Sequence, residues 1–348
     1  MDKRIDYIDS LKGFGGMLIA FYHITGLLGI ANCRIPLINK VVKVLSDIGF
    51  VPVEMFFFLS GYLMIHHYSD KIKSLEFTEY MCRKVRAIYP FLLVSIGLCL
   101  LFIVFQGQWR NLNPYDLAYN FFLLQGGCFI GNGDFRIDLL GSGTWFLTPL
   151  FLSYILFFYI CKYKEEEVAF GIYGAILLLG MLGIKSGVNY PILNGYMLRG
   201  LSAFFGGACF GAIVKKYGTK VRKRTLLLGA LCVLFYAYVI VRGMYVQIHD
   251  FISVTDLVFL PAVLILIENI SGFRKLLSFR ILQRNGRLSA WLFFLNIPIG
   301  RIIKSVVGEG TNLWLCYLLY FLVLYAASII CNFLLKTIQK RPHRNISS

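Results

Sequence analysis

Charge is scarce in this chain. Of 348 residues only 15% are Asp, Glu, Lys or Arg, against 58% hydrophobic and 16% aromatic. Soluble domains carry nearer a quarter charged residues, so the composition belongs to a polytopic membrane protein. Acid is scarcer than base, and the formal net charge is +17. That excess does not mark a nucleic-acid partner, because Lys and Arg sit in short clusters between apolar runs, as membrane topology requires. There is no CxxC pair and no His/Cys spacing suited to zinc, so no metal is expected. The nine cysteines lie mostly inside apolar runs and read as small core residues. Cys33 and Cys128 fall in outer segments, where a disulfide is sterically open but otherwise unsupported. Also lacking are an A-x-A-like cleavage site after the first apolar run and, at Asn32 before Cys33, the small residue a lipoprotein site needs. No internal repeat, low-complexity linker or appended soluble domain is visible, so one domain over 1–348 is expected.

What the chain has is long apolar runs. A helix needs about 20 apolar residues to cross the hydrocarbon core. Ten segments qualify, at roughly 13–30, 46–66, 87–105, 146–162, 168–184, 195–214, 225–242, 253–270, 288–306 and 312–336. The fourth is short, and "DLAYNFFLLQGG" before it reads as a partly inserted segment. A cytoplasmic N-terminus puts most Lys and Arg residues on the inner side, and an odd number of spans would scramble that bias. The expected fold is therefore an all-α polytopic membrane protein with about ten transmembrane helices and both termini cytoplasmic.

Ionisable residues inside spans are costly and mark functional sites by default. In "KGFGGMLIAFYHI" eleven residues separate Lys12 from His23, only about 20° from whole helical turns, so both lie on one face about 16 Å apart. Lys12 sits at the cytoplasmic interface and His23 about halfway through. Counted from Ser46, Glu54 lies about 12 Å below the outer edge, level with His23, on the next antiparallel helix. Asn296 in "WLFFLNIPIG" lies about 12 Å in from the cytoplasmic side. The three converge in depth; each is also compatible with an isolated polar group bonded to a neighbouring carbonyl. Arg199 lies near the outer end of the sixth span, where it can snorkel to the interface. Ser60 and Gly61 suit close helix packing better than nucleophilic catalysis.

These residues fall in an order that resembles the membrane-bound acyltransferase family three, which includes bacterial O-acetyltransferases of surface glycans. "RIDYIDSLKGFGGMLIAFYHI" is similar to the family opening, in which a basic residue precedes a histidine with ten residues between. "VPVEMFFFLSGYLM" is similar to its Gly-Val-Asp/Glu-x-Phe-Phe-x-x-Ser-Gly-Phe stretch, and "YMCRKVRAIYPFLL" to its Arg-rich segment followed by proline. "GTWFLTPLFLSYIL" resembles its Trp-x-Leu stretch, and "NGRLSAWLFFLNIP" its late Gly-x-x-Ser…Tyr-Leu-x-His stretch. The resemblance covers essentially the whole chain and is strongest over residues 4–92. Lysine replaces the commoner arginine at Lys12, and Asn296 stands where the family has a histidine. Thr148 and Pro149 also follow "WFL", where an acidic residue is frequent.

The resemblance implies transfer of an acyl group, with acetyl-CoA the expected donor, to a hydroxyl of a surface or lipid-linked glycan. The bacterial inner membrane is the expected location, with membrane lipids around the protein. An alcohol is a weak nucleophile, so such transfer needs a general base. Histidine suits that role, and Glu54 would orient the ring as a triad carboxylate does. An acyl-histidine relay is the alternative. Lys12, Arg83 and Arg86 are the expected contacts for coenzyme A phosphates; Arg83 and Arg86 share a helical face, where they equally suit topology or anionic lipid. Trp145 and Asn296 are the expected substrate contacts. The outer segment Gln106 to Thr144, with Trp109, Tyr115, Phe129, Phe135, Asp134, Arg136 and Asp138, suits a sugar site or an interfacial aromatic belt. A proton-coupled transporter or flippase, and an inactive homologue with Asn296, are the competing readings.

Overall fold

The computed structural model describes residues 6–112, 114–126, 143–243, 248–308 and 310–340. Cys128, Phe129, Asp134, Phe135, Arg136 and Asp138 lie outside the described residues. Among those described there is no strand, and the chain runs as fourteen α-helices. In order these are α1 (Asp6–Leu28), α2 (Pro36–Asp47), α3 (Val51–Tyr68), α4 (Phe77–Phe105), α5 (Pro114–Phe121), α6 (Leu147–Tyr163) and α7 (Glu166–Lys185). There follow α8 (Gly195–Tyr217), α9 (Lys223–Arg242), α10 (Ile248–Val254), α11 (Leu260–Asn269), α12 (Ser271–Leu277), α13 (Arg280–Val306) and α14 (Leu313–Lys340). Between α10 and α11, Thr255–Phe259 winds as a π-helical turn.

Seven helical segments among the described residues are long and apolar enough to cross a membrane: α1, α4, α7, α8, α9, Phe251–Asn269 and α14. The pair α2 and α3, bent by 46° at the break between them, makes an eighth if counted as one span. Two of the ten expected segments fall outside this set: α6, with 17 residues, and α13, where Asn296, Arg301 and Lys304 interrupt the apolar run. The second expected span is thus a broken one. Its break holds Gly49, where a Cβ would come within 2.1 Å of the Tyr22 ring.

Lipid tails are as apolar as leucine, so membrane helices associate through close packing and polar contacts, not through burial from water. Two helix pairs here achieve close packing with glycine. The first is α1 with α13: Gly13 meets Gly286, Gly16 meets Ser289, and Leu27 meets Gly300. The step between partners is constant, so the two helices run parallel and in register although far apart in the chain. The second is α3 with α8. A Cβ on Gly61 would lie 1.8 Å from the Phe204 carbonyl oxygen, and one on Gly207 would lie 1.9 Å from that of Phe58. These helices are parallel too. Glu54 pairs with Arg199 on one turn, and Asp70 pairs with Lys215 (2.5 Å) sixteen residues further along both, roughly 24 Å away.

A Cβ added at Gly286 would stand 2.0 Å from the Asp9 carbonyl oxygen, an overlap with backbone that no rotamer relieves. Gly286→Ala should therefore force α1 and α13 apart and destabilise by at least the 1–3 kcal/mol or so of an overpacked core. Gly26→Ala on α1, with nothing within 4 Å, is the control and should leave the melting temperature unchanged or raised. Thermal unfolding of the purified protein in detergent checks both.

Candidate active site

The register of α1 and α13 that sets Gly13 against Gly286 also sets His23 against Asn296, ten residues on in each helix. The His23 Nδ1 and Asn296 Oδ1 atoms are 2.6 Å apart. The Asn296 Nδ2 amide donates back to the Phe293 carbonyl, a bond only the NH2 side of the amide can make. Oδ1 must then face the ring as an acceptor, which puts the proton on Nδ1 and leaves the Nε2 lone pair bare. No hydrogen bond to Nε2 is formed among the described residues. Asn296 is fully buried, and the Tyr320 hydroxyl donates to its backbone carbonyl (3.2 Å), tying α14 to the same point. The asparagine thus does for the ring what a triad carboxylate does: it selects the tautomer and holds the orientation.

Glu54 is not the partner of His23, contrary to expectation. The antiparallel contact of α1 with α2 and α3 steps back evenly: Thr25 bonds Ser46 (2.9 Å), Tyr22 packs on Gly49, and Gly15 packs on Phe56. By that register Glu54 faces the level of Met17, six residues and roughly 9 Å along α1 from His23. Counting depth from Ser46 fails because Ser46, at the end of α2, is not at the outer edge: it already stands level with Thr25, two residues beyond His23. Glu54 instead accepts from Arg199 of α8, with Nε at 2.7 Å and Nη2 at 2.6 Å from the same oxygen, Oε1. Arg199 does not snorkel. Its guanidinium lies against the Trp145 ring, 5.3 Å from the centroid, and Trp145 packs on Tyr196 at 4.8 Å. The next residue, Phe146, reaches the other pair: its ring is 4.4 Å from Phe293, which carries the carbonyl that Asn296 holds. Residues 145 and 146 therefore bridge Glu54–Arg199 and His23–Asn296.

Towards the N-terminal ends of α1 and α13 from His23 and Asn296 is a cavity of about 250 Å³. Phe56, Phe57 and Ser60 of α3, Phe146 before α6 and Leu150 in it, Ser289 and Phe293 of α13, and Lys12 of α1 line it. Arg83 and Arg86 are not part of this lining. Arg83 is half exposed and paired with Glu79 at 2.5 Å, and Arg86 is exposed. The residue between them, Lys84, is better placed. Its ammonium sits 3.9 Å from the Tyr68 ring centroid, 4.9 Å from that of Tyr154 and 3.1 Å from the Met64 sulfur. No carboxylate among the described residues pairs with it. Met64, Lys84 and Tyr154 each lie one helical turn beyond cavity-lining Ser60, Ile88 and Leu150, which places Lys84 one turn past that end of the cavity. The sequence signal for it was its place inside "CRKVR", where the flanking arginines draw the eye. No cluster of three or more His, Cys, Asp or Glu among the described residues could hold a metal ion.

A histidine with a bare nitrogen inside a bundle of apolar helices, next to an apolar cavity with Lys12 in its lining, is the candidate site of this chain. Residues 5–335 match the family model of the acyltransferase domain, so the chain belongs to acyltransferase family 3 and is a membrane acyltransferase. No curated protein and no solved structure matches it.

If Asn296 fixes the tautomer, Asn296→Ala should cut turnover about 10²-fold while leaving donor affinity unchanged. Asn296→Asp keeps an acceptor facing Nδ1 and should retain most activity. Steady-state acyl-transfer kinetics on the two variants separates them; equal losses would mean Asn296 serves packing alone.

Proposed function

We propose that this membrane acyltransferase moves an acetyl group from acetyl-CoA to a hydroxyl of a surface or lipid-linked glycan in a bacterial inner membrane. The observation that carries the reading is the His23–Asn296 pair, because it leaves an oriented, unprotonated Nε2 where an acceptor hydroxyl needs a base. In the proposed topology ten helical segments cross the membrane and both ends are cytoplasmic. Lys12 and Lys84 then face the compartment that supplies acyl-CoA.

The donor enters with its thioester arm in the apolar cavity and its phosphates against Lys12 and Lys84, and Arg83 and Arg86 strengthen the positive field at the mouth. Ammonium groups suit this as point charges for phosphate. The acceptor approaches from the other side, where Trp145 and Tyr196 offer aromatic faces and the Glu54–Arg199 pair offers polar contacts. His23 Nε2 takes the hydroxyl proton as the oxygen attacks the thioester carbonyl. The C–O bond forms, the C–S bond breaks, and the imidazolium returns its proton to the departing thiolate. Asn296 keeps Nδ1–H engaged throughout, so the ring neither flips nor loses its aim. General base catalysis of this kind contributes about 10²–10⁴-fold.

His23→Ala should abolish acetyl transfer while the protein still reaches the membrane. Mass spectrometry of surface glycans from cells with and without the variant measures it. Glycan acetylation that persists in His23→Ala would refute the base, and glycan acetylation unaffected by loss of the whole protein would refute the reading. Lys12→Ala should raise the KM for the donor with less effect on kcat, since it contacts a part of the donor remote from the reacting atoms.

A further inference from the structure

The π-helical turn Thr255–Phe259 carries a second buried acid, Asp256, which acyl transfer by His23 does not use. It is 1% exposed, and neither of its oxygens has a hydrogen-bond partner. The turn packs against α3, α8 and α9. From α3 it faces Glu54, and from α8 it faces Arg199 and Ser202. From α9 comes Tyr236, whose hydroxyl is spent on the Thr255 hydroxyl at 2.5 Å. Ser202 stands beside the acid, but its hydroxyl donates to the Arg199 carbonyl at 3.1 Å.

The cluster therefore holds two carboxyls and one guanidinium, and the guanidinium is committed lopsidedly. Arg199 spends both Nε and Nη2 on Glu54 Oε1, while Glu54 Oε2 has no partner. Three acceptor oxygens are sealed without a donor around one five-donor cation. A buried acid left like this is costly, so such a group inside a span marks function by default. A π-turn is also a frequent feature of functional sites, because it displaces the helix face that carries the side chain.

We propose that Asp256 is a positioning residue that offers Arg199 a second seat, so that the guanidinium exchanges between Glu54 and Asp256. In the arrangement described here Arg199 sits on Glu54. In the other it sits on Asp256, and Glu54 is released beside Trp145, free to accept from an acceptor hydroxyl. Asp256, like Glu54, interacts electrostatically with the one guanidinium across the packed turn, which makes it the alternative seat. The consequence for catalysis rests on the acyl-transfer reading above, whereas the exchange itself does not.

A stability cycle tests the exchange without any substrate. Glu54→Gln and Asp256→Asn should each cost little melting temperature, because Arg199 keeps one carboxyl in either variant. The double variant strands a buried cation, and should lose several degrees more than the two single losses together or fail to accumulate. Adding Arg199→Met to the double variant removes the stranded charge and should restore folding. Additive losses, or no rescue by Arg199→Met, would overturn the proposal. In acetyl transfer from acetyl-CoA, Asp256→Asn should lower kcat several-fold with the donor KM unchanged, and Asp256→Glu should recover it. If the cycle is non-additive but Asp256→Asn transfers at the parental rate, the exchange stands and its catalytic consequence is overturned. A parent that transfers nothing contradicts the acyl-transfer reading and leaves the stability cycle to decide the exchange.

Discussion

The close approach of α1 and α13 is the constraint on which the site depends. Neither helix carries a side chain at Gly13 or Gly286, and the backbones meet there at distances that exclude even a methyl group. Because the helices then run parallel and in register, every later pairing follows from that contact, including His23 with Asn296. An interhelical polar contact in a membrane adds only about 0.6 kcal/mol on average. The hydrogen bond is thus too weak to hold the helices together; packing holds them, and the hydrogen bond aims the ring. Tyr320 from α14 and Phe146 before α6 brace the same point from two further directions.

A second parallel pair repeats the device. Glycines at 61 and 207 let α3 and α8 touch, and that contact seats the Glu54 carboxylate on Arg199 inside the bundle. The two polar pairs are joined through adjacent residues, with Trp145 on Arg199 and Phe146 on Phe293. The cavity to one side of them is lined mainly by apolar side chains, with Lys12, Ser60 and Ser289 the polar ones. In the function proposed above, this layout separates three tasks: base at His23, donor capture at Lys12 and Lys84, and polar contacts for the acceptor near Arg199.

Much of this was legible in the sequence, for stated reasons. Apolar runs announce helices, and the helical phase of Lys12 and His23 places them on one face without any tertiary information. Family order, from "KGFGGMLIAFYHI" to "FFLNIP", pointed to acyltransferase family 3, which the match over residues 5–335 shows. What was not legible was lateral. Depth along a span follows from counting residues, but the count for Glu54 took Ser46 as the outer edge, and Ser46 stands level with Thr25, well inside it. Which helices touch depends on glycines far apart in the chain, so Asn296 read as a lost histidine when it is the partner that fixes the tautomer. Lys84 and Asp256 were hidden for a related reason. A lysine among arginines and a single acid in an apolar run acquire meaning only from the rings and the guanidinium that other helices bring to them.

The central claim is that Asn296 holds His23 with the proton on Nδ1 and the lone pair on Nε2. Solid-state nitrogen NMR on protein labelled at histidine, with the His23→Gln variant to assign the signal among the five histidines, reads this directly. The account predicts a His23 ring protonated at Nδ1 and bare at Nε2. A proton on Nε2 with Nδ1 bare would contradict it.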